Sequence, residues 1–241
     1  MKIGRRLATK LLNVGKLVLG FEASGAAVTE PLDRALLADL AATVEGATAA
    51  FEDFDHARAL SCAEAFFWRF CDDYVELVKA RAYGDHGGAA ARDSARETLR
   101  IALDAVLRLF APVLPFVTEE IWFWYAPGSV HRAAWPSADG VLARAGGGEG
   151  PGGPAAAPGG EAGGPDGSVL ATAAEVIAGV RKAKSLARLS MRAEIATVVV
   201  RGPRDVLDRF ALAAGDVRAA GRVGEVVLEV ADGELAVEVL R

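Results

Sequence analysis

The chain has 241 residues, 52% of them hydrophobic, and a net charge of −5 at neutral pH, enough apolar material for one large core or two modest ones without covalent staples. Cys62 and Cys71 stand nine residues apart, so on one helix, at about 100° per residue, they point to opposite sides. The three histidines lack ligand spacing; neither a disulfide nor a metal site is expected, and the chain reads as a reduced, intracellular protein.

Residues 2–20 read as a helix with Ile3, Leu7, Leu11, Val14 and Val18 on one side. The opposite arc is basic: Lys2, Arg5, Arg6, Lys10, Asn13 and Lys16 fall within about 140° of one another, with Thr9 among them. This first island has five basic residues and no acid, and Arg181 to Arg192 holds five more with no acid, so the acidic average hides two basic patches. Lys10, Asn13 and Lys16 interrupt any apolar run that a signal peptide would need, and nothing approaches the roughly 20 residues that span a bilayer. A cytoplasmic location with no membrane partner is expected.

Pro31 opens a second helix, through about Ala50, with Leu32, Leu36, Leu40 and Val44 as its buried stripe. A long third helix is predicted from Asp55, which can cap it, to Gly84, which can take the left-handed conformation that ends helices. Phe66, Phe67, Trp68, Phe70 and Tyr74 crowd its middle and read as core, as do Trp122, Trp124 and Trp135. A fourth helix runs from about Asp93 to Phe110, and Thr118 with Glu119 and Glu120 begins a short fifth. The class is therefore mainly α, an antiparallel bundle over 1–143.

Residues 144–167 hold eleven glycines and four prolines and no large apolar side chain, the composition of a flexible linker. A small α+β unit over 168–241 follows. It comprises a helix from about Leu170 to Leu189, a strand from Ile195 to Val200, a helix near Asp205 to Ala213, and two strands near Val226 to Val230 and Leu235 to Leu240 joined through Asp232 and Gly233 as a hairpin.

No nucleophile with a base, phosphate loop, carboxylate pair or metal cluster emerges, so no catalytic residue is named. A basic arc without interleaved acid is what phosphate contact requires, and Asn13 can donate to a base edge or ribose. Arg181, Lys184, Arg188 and Arg192 repeat the pattern beside an apolar stripe of Val176, Val180, Ala183 and Ala187. RNA contact is the expected use of both islands; a protein-binding helical scaffold is the alternative.

Three stretches together resemble the region that follows the catalytic domain in valyl-tRNA synthetases, of the class I aminoacyl-tRNA synthetase family. They are KIGRRLATKLLNVGKLVL from Lys2 to Leu19, AFFWRFCDDYVELVK from Ala65 to Lys79, and LFAPVLPFVTEEIW from Leu109 to Trp122 followed by SVHRAAWP from Ser129 to Pro136. Val180 to Ser185 and Met191 to Glu194 extend the likeness past the linker. The resemblance implies an anticodon-binding bundle whose first helix lies near the anticodon of valine tRNA, with Arg5, Arg6, Lys10, Asn13 and Lys16 as contacts and Leu17 against a base. It also implies that ATP and magnesium serve a catalytic domain which, like the family's editing domain, is not found in this sequence, so the chain alone should hold no cofactor and be inactive. Either the chain is part of a longer valine-tRNA ligase, with that catalytic domain as a further partner, or it is a freestanding tRNA-binding piece.

Overall fold

The computed structural model describes residues 2–146 and 169–240. The segment read as a linker lies, from residue 147, outside the described residues. In chain order the elements are α1 (Lys2–Leu19), α2 (Pro31–Glu52), α3 (His56–Arg69), a π-helical turn (Phe70–Tyr74), α4 (Val75–Tyr83), α5 (Gly88–Phe110), α6 (Pro115–Phe123), a 3₁₀ turn (Val130–Arg132) and α7 (Ala138–Ala145). After the undescribed segment come α8 (Val169–Leu186), β1 (Ile195–Gly202), α9 (Arg204–Ala211), α10 (Ala214–Gly221), β2 (Val223–Val230) and β3 (Ala236–Leu240). The molecule is a helical bundle with a small α+β part, as the pattern of the sequence predicts.

The local signals act where they stand. Pro31 occupies the first turn of α2. The Asp55 carboxylate accepts from the Arg58 amide at 2.9 Å and caps α3, and Gly84, at φ 92°, ends α4 in the left-handed conformation. The predicted single helix between them is continuous in direction but contains the π turn, which has no signature in composition. Its extra residue keeps Phe70, Cys71 and Tyr74 buried and leaves Asp72 exposed and Asp73 half-buried. Phe66, Phe70 and Tyr74 form a stacked column, with ring centroids 6.1 and 6.2 Å apart, so these aromatics are core. Trp124 and Trp135, also expected in the core, are partly exposed.

In the sheet, β1 is central. It runs parallel to β2, pairing Ile195 with Val223 through Gly202 with Val230, and antiparallel to β3, pairing Thr197 with Leu240 through Arg201 with Ala236. The expected β2–β3 hairpin is therefore wrong. Val198, Val199 and Val200 make an unbroken buried run, which suits a strand covered on both faces, whereas β2 and β3 are largely exposed and take the edges. Gly233 does turn the chain, at φ 107°, but the chain crosses over β1 before pairing.

Buried apolar residues of the bundle and of the α+β part belong to one continuous cluster, in which Val176, Ile177 and Phe210 join Leu36, Leu40 and Phe110. α10 packs on α4, and α8 packs on α2 and the π turn. A buried clamp reinforces the contact. Arg81 of α4, 2% exposed, donates to Asp33 of α2 at 2.7 and 2.8 Å, to Asp216 of α10 at 2.9 and 3.0 Å, and to the Ala91 carbonyl at 3.0 Å. All five guanidinium protons are thus used. Tyr74 and Ser94 hydroxyls complete the shell of Asp33 at 2.7 and 2.6 Å. Burial opposes the charge on Arg81, but the two carboxylates outweigh it and hold the pKa above the ordinary arginine value.

Candidate nucleic-acid interface

α1 is held by its apolar stripe. Leu7, Leu11, Val14 and Val18 are buried, and Gly15 lets the helix approach α6 so closely that a Cβ there would lie 3.0 Å from Ile121. This packing turns the polar arc outward: Arg5, Arg6, Thr9, Asn13 and Lys16 are exposed. The arc forms one wall of an open groove of about 530 Å³, to which Arg5, Arg6, Thr9, Lys10 and Asn13 contribute.

The other wall comes from α3 and the π turn. Trp68 and Asp72 face α1 across the groove. The Arg6 guanidinium sits over the Trp68 ring, 4.8 Å from its centroid, and the indole is oriented from behind, where Nε1 donates to Glu64 at 3.1 Å. Lys10 Nζ pairs with Asp72 at 2.8 Å. Partial burial works against the Lys10 charge, but the hydrogen bond and field of Asp72 prevail and raise its pKa.

Asp73, the next residue, lies in the field of Arg181 on α8. Its pKa is raised by burial, against which Arg181 acts. Consecutive carboxylates of the π turn thus stand beside the two basic islands, Asp72 beside α1 and Asp73 beside α8. Residues of the two islands that are far apart in sequence, Lys10 and Arg181, thus act on one helical turn.

Not every expected contact lies in this arrangement. Lys16 is exposed and Leu17 half-buried, and neither lines the groove. Arg181 is half-buried, and Arg188 and Arg192, beyond the end of α8, are exposed. Lys184 is a correction. It is 2% exposed, and its Nζ donates to the carbonyls of Met191, Ala193 and Gly221 at 3.1, 2.6 and 2.8 Å, so its donors are spent inside the protein. Burial, then the charge of Arg222, lowers its pKa.

Conversely, Trp68, expected in the core, is half-buried and lines the groove, as does Asp72, for which no site role was expected. A signal existed for the first: at about 100° per residue Trp68 lies roughly 160–200° from Phe66 and Phe70, off the buried stripe. None existed for Asp72, which reaches α1 only through tertiary packing. Among the described residues there is no group of three or more metal-ligating side chains, and no helix is long and apolar enough to cross a membrane.

Fold and groove together define a helical domain that presents cationic and aromatic side chains on one concave face. Comparison with known proteins places it more closely. The sequence profile described as the anticodon-binding domain of tRNA ligase matches residues 33–200, and the chain belongs to that family. It is similar to the valine–tRNA ligases of Salinispora arenicola, 49% identical over 99% of this chain and 28% of that protein, and of Thermobifida fusca, 51% identical over 99% of this chain and 25% of that protein. That of Leifsonia xyli is 45% identical over 93% of this chain and 24% of its own length. The chain thus spans about a quarter of the length of these relatives. The family match begins at Asp33, after α1, whereas the valine–tRNA ligase likeness takes in nearly the whole chain.

Proposed function

We propose that this chain is the part of a cytoplasmic valine–tRNA ligase that binds the anticodon loop of valine tRNA. The observation that carries the reading is the groove between α1 and α3 with its π turn, lined by Arg5, Arg6, Lys10, Asn13 and Trp68, with Arg6 over the Trp68 ring. Cations release counterions from a polynucleotide backbone, and a half-open aromatic face suits an unpaired base. Both are features of a single-stranded loop rather than of a duplex. Arg181, whose field reaches Asp73 of the π turn, and the exposed Arg188 and Arg192 are the further cationic contacts of this reading. Lys184 has no part in it.

In such a ligase the coupling of valine to tRNA, with ATP and magnesium, falls to other domains. This chain supplies binding and orientation, and alone it is expected to show no valine-dependent ATP–pyrophosphate exchange. The experiment is a titration of the whole chain with transcribed valine tRNA and with an unrelated tRNA over a range of salt. Preferential binding of valine tRNA is expected, with a log–log salt slope near −3 for about four phosphates at the single-strand coefficient of roughly −0.7 each. Failure to bind either RNA at low salt would replace this reading with the protein-binding scaffold.

A further inference from the structure

Two groups in the groove are of no use to a phosphate. Asp72 presents a carboxylate whose side chain is 52% exposed, and a negative charge at that position repels a polyanion instead of attracting it. Trp68 presents an indole face, which offers no hydrogen bond to phosphate oxygen. A site evolved only to neutralise backbone would gain from losing both. They are, however, the two groups that base reading needs: a flat apolar platform, and an acceptor at its edge for a nitrogen-bound proton.

The surroundings support that assignment. Glu64 fixes the indole through the 3.1 Å bond to Nε1, so the platform keeps one orientation. Arg6 lies against the same ring, where its planar guanidinium can stack on a base or cover it from the other side. The 2.8 Å pair with Lys10 holds the Asp72 carboxylate in place and offsets its charge toward the neighbouring phosphates. Asn13, exposed on the α1 wall, adds a donor and an acceptor. The volume, about 530 Å³, lies within the range of small-ligand sites.

We propose that the groove takes one unpaired base of the RNA loop, stacked on the Trp68–Arg6 pair, and that Asp72 selects a base carrying an exocyclic amine by accepting a hydrogen bond from it. This rests on the anticodon-loop reading above and adds to it the platform, the selecting residue and the class of base. Uracil, which has no amine, is the base it disfavours.

The test uses the whole chain with transcribed valine tRNA and with variants in which each anticodon base in turn is uracil. Trp68→Ala should weaken binding roughly 5- to 150-fold, the range for loss of one stacked base, with the salt slope unchanged. Trp68→Phe, which keeps an aromatic face, should retain most of the affinity while removing the fluorescence quenching that a base stacked on Trp68 is expected to cause in the wild-type chain. Asp72→Asn should bring the affinity for one uracil variant close to that of the parent, beyond the uniform tightening of all the RNAs that follows from removing a negative charge and releasing Lys10. If Asp72→Asn instead tightened all the RNAs equally and steepened the salt slope, the groove would hold phosphate, and the base-reading proposal would fall while the anticodon-loop reading stood. If Trp68→Ala bound like the wild type, stacking would be disproved on the same terms. A wild-type chain that bound no tRNA would overturn both.

Discussion

Lys184 ties together three pieces of backbone that share no secondary structure. Its ammonium meets the Met191 and Ala193 carbonyls in the segment before β1 and the Gly221 carbonyl at the end of α10, where helix-terminal oxygens lack partners of their own. Lys184→Met keeps the apolar stem and removes the donors. Each buried polar group left unmade costs about 1–3 kcal/mol; with some carbonyls reached by water, a loss of about 3 kcal/mol is expected, read as a lower urea midpoint at unchanged m-value. A direct RNA role would instead lower tRNA affinity at unchanged stability. The pH dependence has a definite sign. Because the folded state holds this proton less tightly than the ordinary value of 10.5, the unfolded chain binds more protons just below that pH, and the Lys184 contribution grows as pH rises toward it. Lys184→Met should remove that rise.

At the scale of elements, α1 is an apolar stripe that fixes its orientation and a polar arc that is thereby presented. The charges on the arc are not equivalent. Lys10 is already paired with Asp72, whereas Arg5, Arg6 and Lys16 are exposed. Replacing those three by alanine should flatten the tRNA salt slope by about two units, from roughly −0.7 per phosphate, and alanine favours helix, so circular dichroism should be unchanged. Lys10→Ala should move the slope less. Equal effects of Lys10 and Arg5 would show that the Asp72 pair opens on binding. The same helix shows what a sequence discloses. Its stripe, the cap at Asp55 and the stop at Gly84 were legible because each depends on neighbours within about one turn. The π turn, the inward turn of Lys184, the β2–β1–β3 order and the approach of Asp72 to Lys10 depend on residues brought near by packing. α10 was missed because AGDVRAAG carries little periodic apolar content of its own. Its place is fixed largely by Val217 and Asp216, whose partners lie in other elements.

In the whole molecule the two basic islands lie on different parts of the chain, so their relation depends on what holds those parts together. Composition divides the chain near residues 144–167, and a protease is expected to cut there. The contact across the division is a continuous apolar cluster with the Asp33–Arg81–Asp216 clamp. Asp216 feels the clamp strongly: burial raises its pKa, and the bidentate Arg81 works in the opposite direction. Removing one partner of a buried pair strands the other charge, at a cost of about 3–5 kcal/mol. Arg81→Met strands two carboxylates, Asp33, which keeps the Tyr74 and Ser94 hydroxyls, and Asp216, near which His86 Nε2 lies at 3.4 Å without a hydrogen bond. Asp216→Asn leaves the Asp33–Arg81 pair whole and should be milder. After cleavage, the wild-type pieces should co-elute on gel filtration, and those of Arg81→Met should separate, the bundle keeping its helical signal. Co-elution of the cut Arg81→Met pieces would show that apolar packing alone unites them. Separation also carries a functional consequence. Arg181 leaves the neighbourhood of Asp73, and the bundle piece, without Arg181, Arg188 and Arg192, should bind tRNA with a salt slope shallower by up to about two units at roughly −0.7 per lost phosphate contact, while the discrimination set in the α1 groove is retained.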